Sequence, residues 1–372
     1  MLIGALGIRL VMWMGKAVPL PPPSEVTSAL TNVTVTNDAD GTDGFQLTLT
    51  LGKNQLLDYG LLSGSALDPM TRVVIAVLMG AVPEVLIDGV ITHHQLAPTS
   101  DPGASTLTVT GKDLTQVMDL EEKNEKYENQ PDFLIVMRLV ASYARYGLVP
   151  QATPTADVPI MLQRIPRQHE TDLGFIRRMA ERNGFVFYVE PVTFGVNKAY
   201  FGPEIRASVP QPALTMNMGA ATNVKSLSFS NDALAPVGTR GTFVEPFLKL
   251  PIPIPSLPSL RLPPLARSPA TAERTVQLRS TANENPARAA TTAVATVTRA
   301  PEAVTGEGEV DAVRYGNVLR ARRLVGVRGV GTTYDGFYYV RRVTHTIGRG
   351  EYTQRFSLSR EGTGALLPVV RP

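Results

Sequence analysis

Cysteine is absent from all 372 residues, so no disulfide and no thiolate-ligated metal can form, and cysteine usage is silent about redox compartment. Histidine is nearly as scarce. The four residues His93, His94, His169 and His345 leave little imidazole for general-base or metal chemistry. Neither sign of charge dominates: 36 Lys and Arg stand against 33 Asp and Glu, a formal charge of +3. That excess is too slight to signal a nucleic-acid-binding surface. Long apolar runs are missing as well. The N-terminal stretch MLIGALGIRLVMWMGK is broken by Arg9 and falls short of the ~20 residues a spanning helix needs. It reads first as an extra strand, a partner-docking arm or sequence ahead of a start at Met12 or Met14, and second as a signal-like or membrane-leaning segment.

The motifs of common chemistries are also missing. A zincin helix sets two His four residues apart around a Glu, and no such spacing occurs. His93 and His94 are adjacent in a strand-like run, so their side chains point to opposite faces and cannot share an ion. His169 and Glu170 stand side by side without a second His in register. Ser63 to Ser65 reads SGS, a loop without the order of a nucleophile elbow. Gly111-Lys112 lacks the glycine spacing of a phosphate loop, and GVRGVG at Gly326 to Gly331 leads into a hairpin instead of a dinucleotide-binding helix. Asp38, Asp40 and Asp43 fail the calcium-loop spacing, with Leu49 where the closing Glu belongs, and read as a solvated hairpin turn.

What is present is period-two alternation punctuated by 31 Gly and 30 Pro, the pattern of a β-rich chain with many turns. VTSALTNVTVTN and FQLTLTLG read as strands around the turn DADGTDG. The run TRVVIAVLMGAVPEVLIDGVITHHQLAPTSDPGASTLTVTGKD reads as a three-stranded meander, and RARRLVGVRGVGTTYDGFYYVRRVTHTIGRGEYTQRFSLSREG reads as another. Aligned, residues 73–78 face 324–328, residues 85–90 face 337–342, and Ile91-Thr92-His93 faces Val343-Thr344-His345. We read this as an internal repeat, two related β units in one chain.

Between them the period changes. In ENQPDFLIVMRLVASYARYGL, Gln130 is placed to cap, Pro131 suits the first helical position, and Phe133, Val136, Leu139, Val140 and Tyr143 share a face before Gly147. In RQHETDLGFIRRMAERNGFVFYVE, Thr171 or Asp172 caps a helix. Its stripe is Leu173, Ile176, Met179 and Ala180; Arg177, Arg178, Glu181 and Arg182 face water; Asn183-Gly184 is the left-handed exit. His169-Glu170 therefore reads as the lead-in to a packing helix. EEKNEKYE, from Glu121 to Glu128, reads as a solvated, self-paired surface. The Pro-rich run VEPFLKLPIPIPSLPSLRLPPLARSP reads as a strap lying against a surface or a semi-rigid spacer, and NENPARAATTAVATVTRAPE as an Ala-rich helix leading into the second β unit. Arg320, Arg322, Arg323, Arg328, Arg341 and Arg342 read as a charged, solvated sheet edge, or alternatively as a surface for an acidic partner.

Three blocks in order carry a resemblance. The capped helix and aromatic strand of RQHETDLGFIRRMAERNGFVFYVE resemble the signature of phage late control D proteins and the hub portion of type VI secretion spike proteins. LTVTGKDLTQVMDLEEKNEKYENQPDFLIVMRLVASYARYGL and YYVRRVTHTIGRGEYTQRFSLSREG look like the same family's neighbouring and closing passages. The likeness spans residues 26–362. It implies a baseplate hub of a contractile injection system or phage tail: mainly β with an α+β middle region, two tail-tube-like β-barrel domains per chain, and a ring-forming homotrimer of pseudo-sixfold shape. Apolar strand faces such as residues 73–78 would then be covered on assembly. A hexameric tail tube would dock above, a trimeric spike below, with baseplate or sheath components around. The particle would assemble in the bacterial cytoplasm, with release or membrane association as further fates. Many relatives continue into an oligonucleotide-fold domain and a β-helical needle, whereas this sequence stops at Pro372, so the spike is expected to be a separate protein.

The domain reading is an apolar arm at 1–23, a first tube-like domain at 24–120, an α+β region at 121–243, a Pro-rich linker at 244–275, and a helix plus second tube-like domain at 276–372. No catalytic, cofactor or metal residue is assigned, interface residues are left open, and no nucleic-acid specificity is expected. Two rival readings stand: a stand-alone β-rich surface or carbohydrate-binding module, and a metal-dependent hydrolase built on His169, Glu170 and a distant His.

Overall fold

The computed structural model describes residues 7–16, 18–52, 59–80, 83–101, 103–159, 161, 164–244, 250–254, 258–278 and 286–366. β1 (Arg9–Gly15) and the short α1 (Ser24–Ala29) precede the hairpin of β2 (Leu30–Asp38) and β3 (Gly44–Leu51). Alternation drives that hairpin: Val33, Val35, Leu47 and Leu49 are buried while Gln46 and Thr50 are exposed. After α2 (Gly60–Ser63), which makes Ser63 the end of a helical turn where a loop was expected, come β4 (Arg72–Leu78), β5 (Pro83–Ala97) and β6 (Ser105–Asp113). Their order is β1-β4-β5-β6-β3-β2, antiparallel throughout. β4 is already covered within one chain, contrary to the expectation that assembly hides it. β1 pairs along its whole length, Val73, Ile75 and Val77 enter the main core, and Val74 and Ala76 pack with Trp13 and Val85 on the other face.

An α+β region follows. β7 (Glu122–Lys126) precedes α3 (Asp132–Ala141) and β8 (Leu148–Ala152); β9 (Arg167–Thr171) precedes α4 (Asp172–Asn183), β10 (Val186–Thr193) and β11 (Val196–Gly202). β7 pairs with β9, so the mixed-charge run is a strand; its charged side chains are exposed as expected except Lys123, which reaches Asp172 at 2.6 Å outside the run, and Tyr127 is fully buried. Both helices bury one face, with Ile135, Val136, Leu139 and Val140 meeting Phe175, Ile176, Met179 and Phe201. Thr171 caps α4 by accepting the Gly174 N–H at 3.1 Å, and Gly184 leaves it at φ +67. Arg182, expected in water, turns toward Asp132 (Nε to Oδ2 2.7 Å). α3 starts one residue later than the sequence suggests. Pro131 is its N-cap, because its extended backbone turns its carbonyl toward the N–H groups of Leu134 and Ile135.

β12 (Gln211–Thr215) and β13 (Val224–Asn231) come next, then an insertion with β14 (Val237–Val244), β15 (Pro251–Ile254), β16 (Ala266–Pro269), β17 (Arg274–Gln277) and α5 (Pro286–Arg299). The chain continues through β18 (Val304–Asp311), α6 (Ala312–Tyr315), β19 (Leu324–Arg328), β20 (Gly336–Ile347), β21 (Tyr352–Arg360) and β22 (Gly362–Ala365). The described part of the Pro-rich strap is held by backbone pairing: β15 on β14, and β16 on β22. α5 packs Ala289 and Ala293 against Ile254 and Leu278, and its Ala295 lies so close to Gly184 that a Cβ there would stand 2.9 Å from the Ala295 Cα. Only glycine satisfies both that approach and the left-handed turn.

The two β units share one strand order. β4-β5-β6-β3-β2 in the first corresponds to β19-β20-β21-β18-β13 in the second, and both join one curled, 12-stranded sheet through the β2–β20 pair. An outer strand flanks each: β1 antiparallel on β4, β12 parallel on β19. Backbone detail agrees. Met70 and Arg322, at φ 64 and 63, each donate an N–H to the middle strand, at the carbonyls of Ile91 and Val340. Immediately beyond, each middle strand has a bulge, between Ile91 and His93 and between Val340 and Arg342. Ile91 therefore corresponds to Val340, three residues from the Val343 of the sequence alignment, and His93 corresponds to Arg342 instead of His345. β13 lies inside the stretch 121–243 that was read as the middle region, yet it is the counterpart of β2. LTNVTVTNDA at residues 30–39 and VKSLSFSNDA at 224–233 align without a gap, with a register shift at the same place in each.

Candidate assembly interface

The seam between the units is built from β2 and β20. Asp38 faces Arg342 with an ion pair of 2.6 Å, Thr36 and Thr344 share a hydrogen bond of 3.2 Å between hydroxyls, and the Ala39 N–H reaches the Arg341 carbonyl at 2.7 Å. Beside it Arg322 grips both oxygens of Asp43 at 2.6 and 3.0 Å and lies 4.5 Å from the Tyr188 ring centre. Both partners are buried, so Asp43 is an internal anchor and not part of a solvated turn, while Asp40 and Gly41 at the tip are exposed as expected. Asp113 lies close by, accepting the Asp43 N–H at 3.2 Å. Burial and then the Asp43 charge push its carboxyl up to about 6.

A second cluster continues from the seam. Arg206, fully buried, holds Glu204 at 2.6 Å and Glu302 at 2.7 Å; Arg341 holds Glu204 at 2.8 Å, Glu302 at 3.2 Å and Asp40 at 3.2 Å. Burial alone would raise Glu302, but Arg206, Arg341 and Arg261 outweigh it and hold this carboxyl at about 2. Arg320 reaches Glu84 at 3.0 Å, Arg323 reaches Glu190 at 3.2 Å, and Arg328 donates to the Thr215 hydroxyl at 2.8 Å. Of the arginines read as a solvated edge, Arg320, Arg322 and Arg341 are thus spent inside the chain, joining strands far apart in sequence, while Arg323 and Arg342 stay exposed as expected. Buried cations need such partners, because an unpaired one carries a large desolvation cost.

The remaining candidates are scattered. His169 is exposed on β9 and Glu170 pairs with Arg178 at 2.7 Å, as a lead-in to α4. His345 is buried; its Nδ1 is 2.9 Å from the Tyr352 hydroxyl, while burial first and Arg320 second push it down to about 3. Gly326 to Gly331 runs from β19 toward β20, and Gly111-Lys112 lies within β6. Among the described residues no group of three or more His, Asp or Glu is placed to hold a metal ion, and no helix is long and apolar enough to cross a membrane.

Among the open strand edges of the described residues, two belong to the places in the two units that correspond to the paired β2 and β20. β13 pairs only with β18 and ends the sheet, and residues 92–97 of β5 pair only with β6. Sequence reasoning assigned no interface residue. The repeated dipeptide Asn-Asp followed by Ala, at 37–39 and 231–233, was the available signal.

The duplicated, curled sheet with an α+β region between its halves is a fold shared with tail-type proteins. The tail protein from Neisseria meningitidis MC58 aligns at 14% identity over 97% of this chain and 98% of its own, with a TM-score of 0.64. The 43 kDa tail protein of prophage MuSo2 from Shewanella oneidensis aligns at 15% identity over 95% and 98%, TM-score 0.62. The E. coli c3393 protein, described as a type VI secretion system component with structural similarity to T4 bacteriophage tail proteins gp27 and gp5, aligns at 13% identity over 92% and 77%, TM-score 0.54. Within this fold class the chain belongs to the Alg8 N-terminal domain family, whose model matches residues 23–221. Curated proteins give no match.

Proposed function

We propose that this chain is a structural hub of a phage tail or related contractile injection particle, one that adapts a sixfold tail tube to a threefold spike as late control D proteins do. The observation that carries the reading is the doubled strand order. One polypeptide presents two like modules, so three copies offer six in a ring, the number a hexameric tube would meet. On this reading the modules run from β1 to β6 and from β12 to β21, the α+β region and the strap-bearing insertion decorate the ring, and a tube protein and a spike component occupy its two faces. Such work needs area, rigidity and symmetry, and the buried arginine clusters supply rigidity at the seam. The fold shared with tail proteins and a type VI secretion component supports the same reading.

The deciding measurement is the mass of the purified chain in solution, over a concentration series, by light scattering or native mass spectrometry. Three copies per particle is the expected result. A monomer at every concentration overturns the hub reading and favours a stand-alone binding module.

A further inference from the structure

We infer that residues 92–97 of β5 take up β13 of a second copy of this chain as an added antiparallel strand, with Asp232 opposite His93. The inference rests on the ring reading above and names the contact that would close the ring. Inside one chain the same joint is already made once. β2 lies on residues 342–347 of β20, just past the bulge that follows the left-handed Arg322 contact. β5 has the matching left-handed contact at Met70 and the matching bulge after Ile91, but no strand lies on the edge beyond them among the described residues. The strand that corresponds to β2 is β13, which stands at the far end of the sheet with its outer edge open. Among the described residues of a single copy, a strand and the edge shaped for it are therefore both unpaired, at places it cannot join to itself within one sheet.

The internal joint fixes the register. Asp38 on Arg342 becomes Asp232 on His93, Asn37 on Val343 becomes Asn231 on His94, Thr36 on Thr344 becomes Ser230 on Gln95, and Val35 on His345 becomes Phe229 on Leu96. The chemistry transfers with it. A carboxylate again meets an N–H donor, a small hydroxyl again meets a polar partner, and two apolar side chains meet where Val35 stood. Asp232 even holds the local turn of Asp38: the Leu234 N–H reaches its Oδ1 at 2.9 Å, as the Asp40 N–H reaches Asp38 Oδ1 at 3.0 Å. His94, whose Nε2 is buried without a partner inside the chain, comes opposite Asn231. The contact is head-to-tail, so every copy offers one strand and receives one, and the set closes only as a ring. An open edge of this length is otherwise an aggregation hazard, which gives a reason for its being filled.

Paired cysteines test the register, since the chain has none of its own. In the internal joint the hydroxyls of Thr36 and Thr344 are 3.2 Å apart, so Ser230→Cys with Gln95→Cys sits at a close, non-hydrogen-bonded pair where a disulfide fits. Mild oxidation of this double variant is expected to give covalent dimers and then a covalent trimer on denaturing gels, while Ser226→Cys with Gln95→Cys, four residues out of register, stays monomeric on the gel. Asp232→Arg is expected to weaken association about tenfold, and adding His93→Glu to restore it to within about threefold, a reciprocal rescue that simple misfolding does not produce. A trimer by mass that fails to cross-link at 230 and 95, or cross-links equally well at 226 and 95, overturns the strand pairing and leaves the ring reading standing. A chain that is monomeric by mass and shows no cross-link overturns both.

Discussion

Arg322 and Asp43 come from opposite ends of the chain and meet in a two-pronged ion pair, 2.6 and 3.0 Å, that is almost entirely hidden from water. Arg322 holds a left-handed backbone at φ 63 to make this contact, and its guanidinium is further kept charged by Asp43 against the pull of burial. The pair locks the β2–β3 turn of the first unit to the start of β19 in the second. Its energetic meaning is asymmetric: the intact pair adds little, but either partner alone is a buried bare charge.

Arg322→Ala is therefore expected to lower stability by about 3–5 kcal/mol, read from the urea midpoint. Replacing both partners, Arg322→Met with Asp43→Leu, is expected to cost much less than the sum of the two single changes. An Arg322→Ala loss below about 1 kcal/mol would show that water reaches the site.

Two other buried groups oppose each other as pH falls. His345 sits at about 3 against its ordinary 6.5, so the unfolded chain takes up a proton that the folded chain refuses; its contribution is complete above pH 6.5 and is lost toward acid. Asp113 sits at about 6 against its ordinary 3.8, so the folded chain holds a proton that the unfolded chain has released; its contribution is complete below 3.8 and is lost as pH rises through 6. Between about pH 4 and 6 the two slopes offset, each worth about 1.4 kcal/mol per pH unit at most. His345→Gln is expected to make the protein gain stability from pH 6 to 5, and Asp113→Asn to make it lose stability over the same interval. Denaturant midpoints at the two pH values, compared with the parent chain, check both signs.

The first turn of α4 gives a smaller, local case. Thr171 accepts the Gly174 N–H and donates its hydroxyl proton to Asp119 at 2.6 Å. Thr171→Ala is expected to cost about 1–2 kcal/mol in thermal or chemical unfolding, and Thr171→Ser to recover most of it.

These features differ in how far they could be read from the chain alone. Thr171, the Leu173-Ile176-Met179-Ala180 stripe and Gly184 lie within one helical segment, so local periodicity exposes them. The paired meanders were legible for the same reason, since each is contiguous. The three-residue error in aligning them arises in the hairpin ahead of the bulges: Met70 to Ile91 is 21 positions and Arg322 to Val340 is 18, a difference in turn length that an ungapped alignment carries through into the middle strand. β13 escaped because residues 232–303 separate it from β18, although its sequence repeats that of β2. Arg322 and Arg341 were misplaced because Asp43, Glu204 and Glu302, which draw them inward, are close only in space.

The two units fill the same core position with opposite strands. In the first, Phe45 of β3 stands directly across from Gly111 of β6, and a Cβ on Gly111 would fall 2.2 Å from the Phe45 ring. In the second, the counterpart of Phe45 is Gly306 of β18, and the counterpart of Gly111 is Leu358 of β21. The bulk of Phe45 is replaced from both sides, by Leu358 and by the ring of Phe229, which is the counterpart of Val35 and lies over Gly306. Gly111→Leu alone is expected to destabilise by more than about 2 kcal/mol through overlap with the Phe45 ring, and Phe45→Gly alone by about 3–5 kcal/mol through the cavity it leaves. Combined, they recreate the Gly–Leu pair of the second unit, with Val35 standing where that unit has Phe229. The double variant is expected to be more stable than the sum of the two losses predicts, with a coupling of about 1–3 kcal/mol in a double-mutant cycle. Strict additivity would mean that the two positions are not interchangeable, and that the units, though alike in strand order, pack by separate rules.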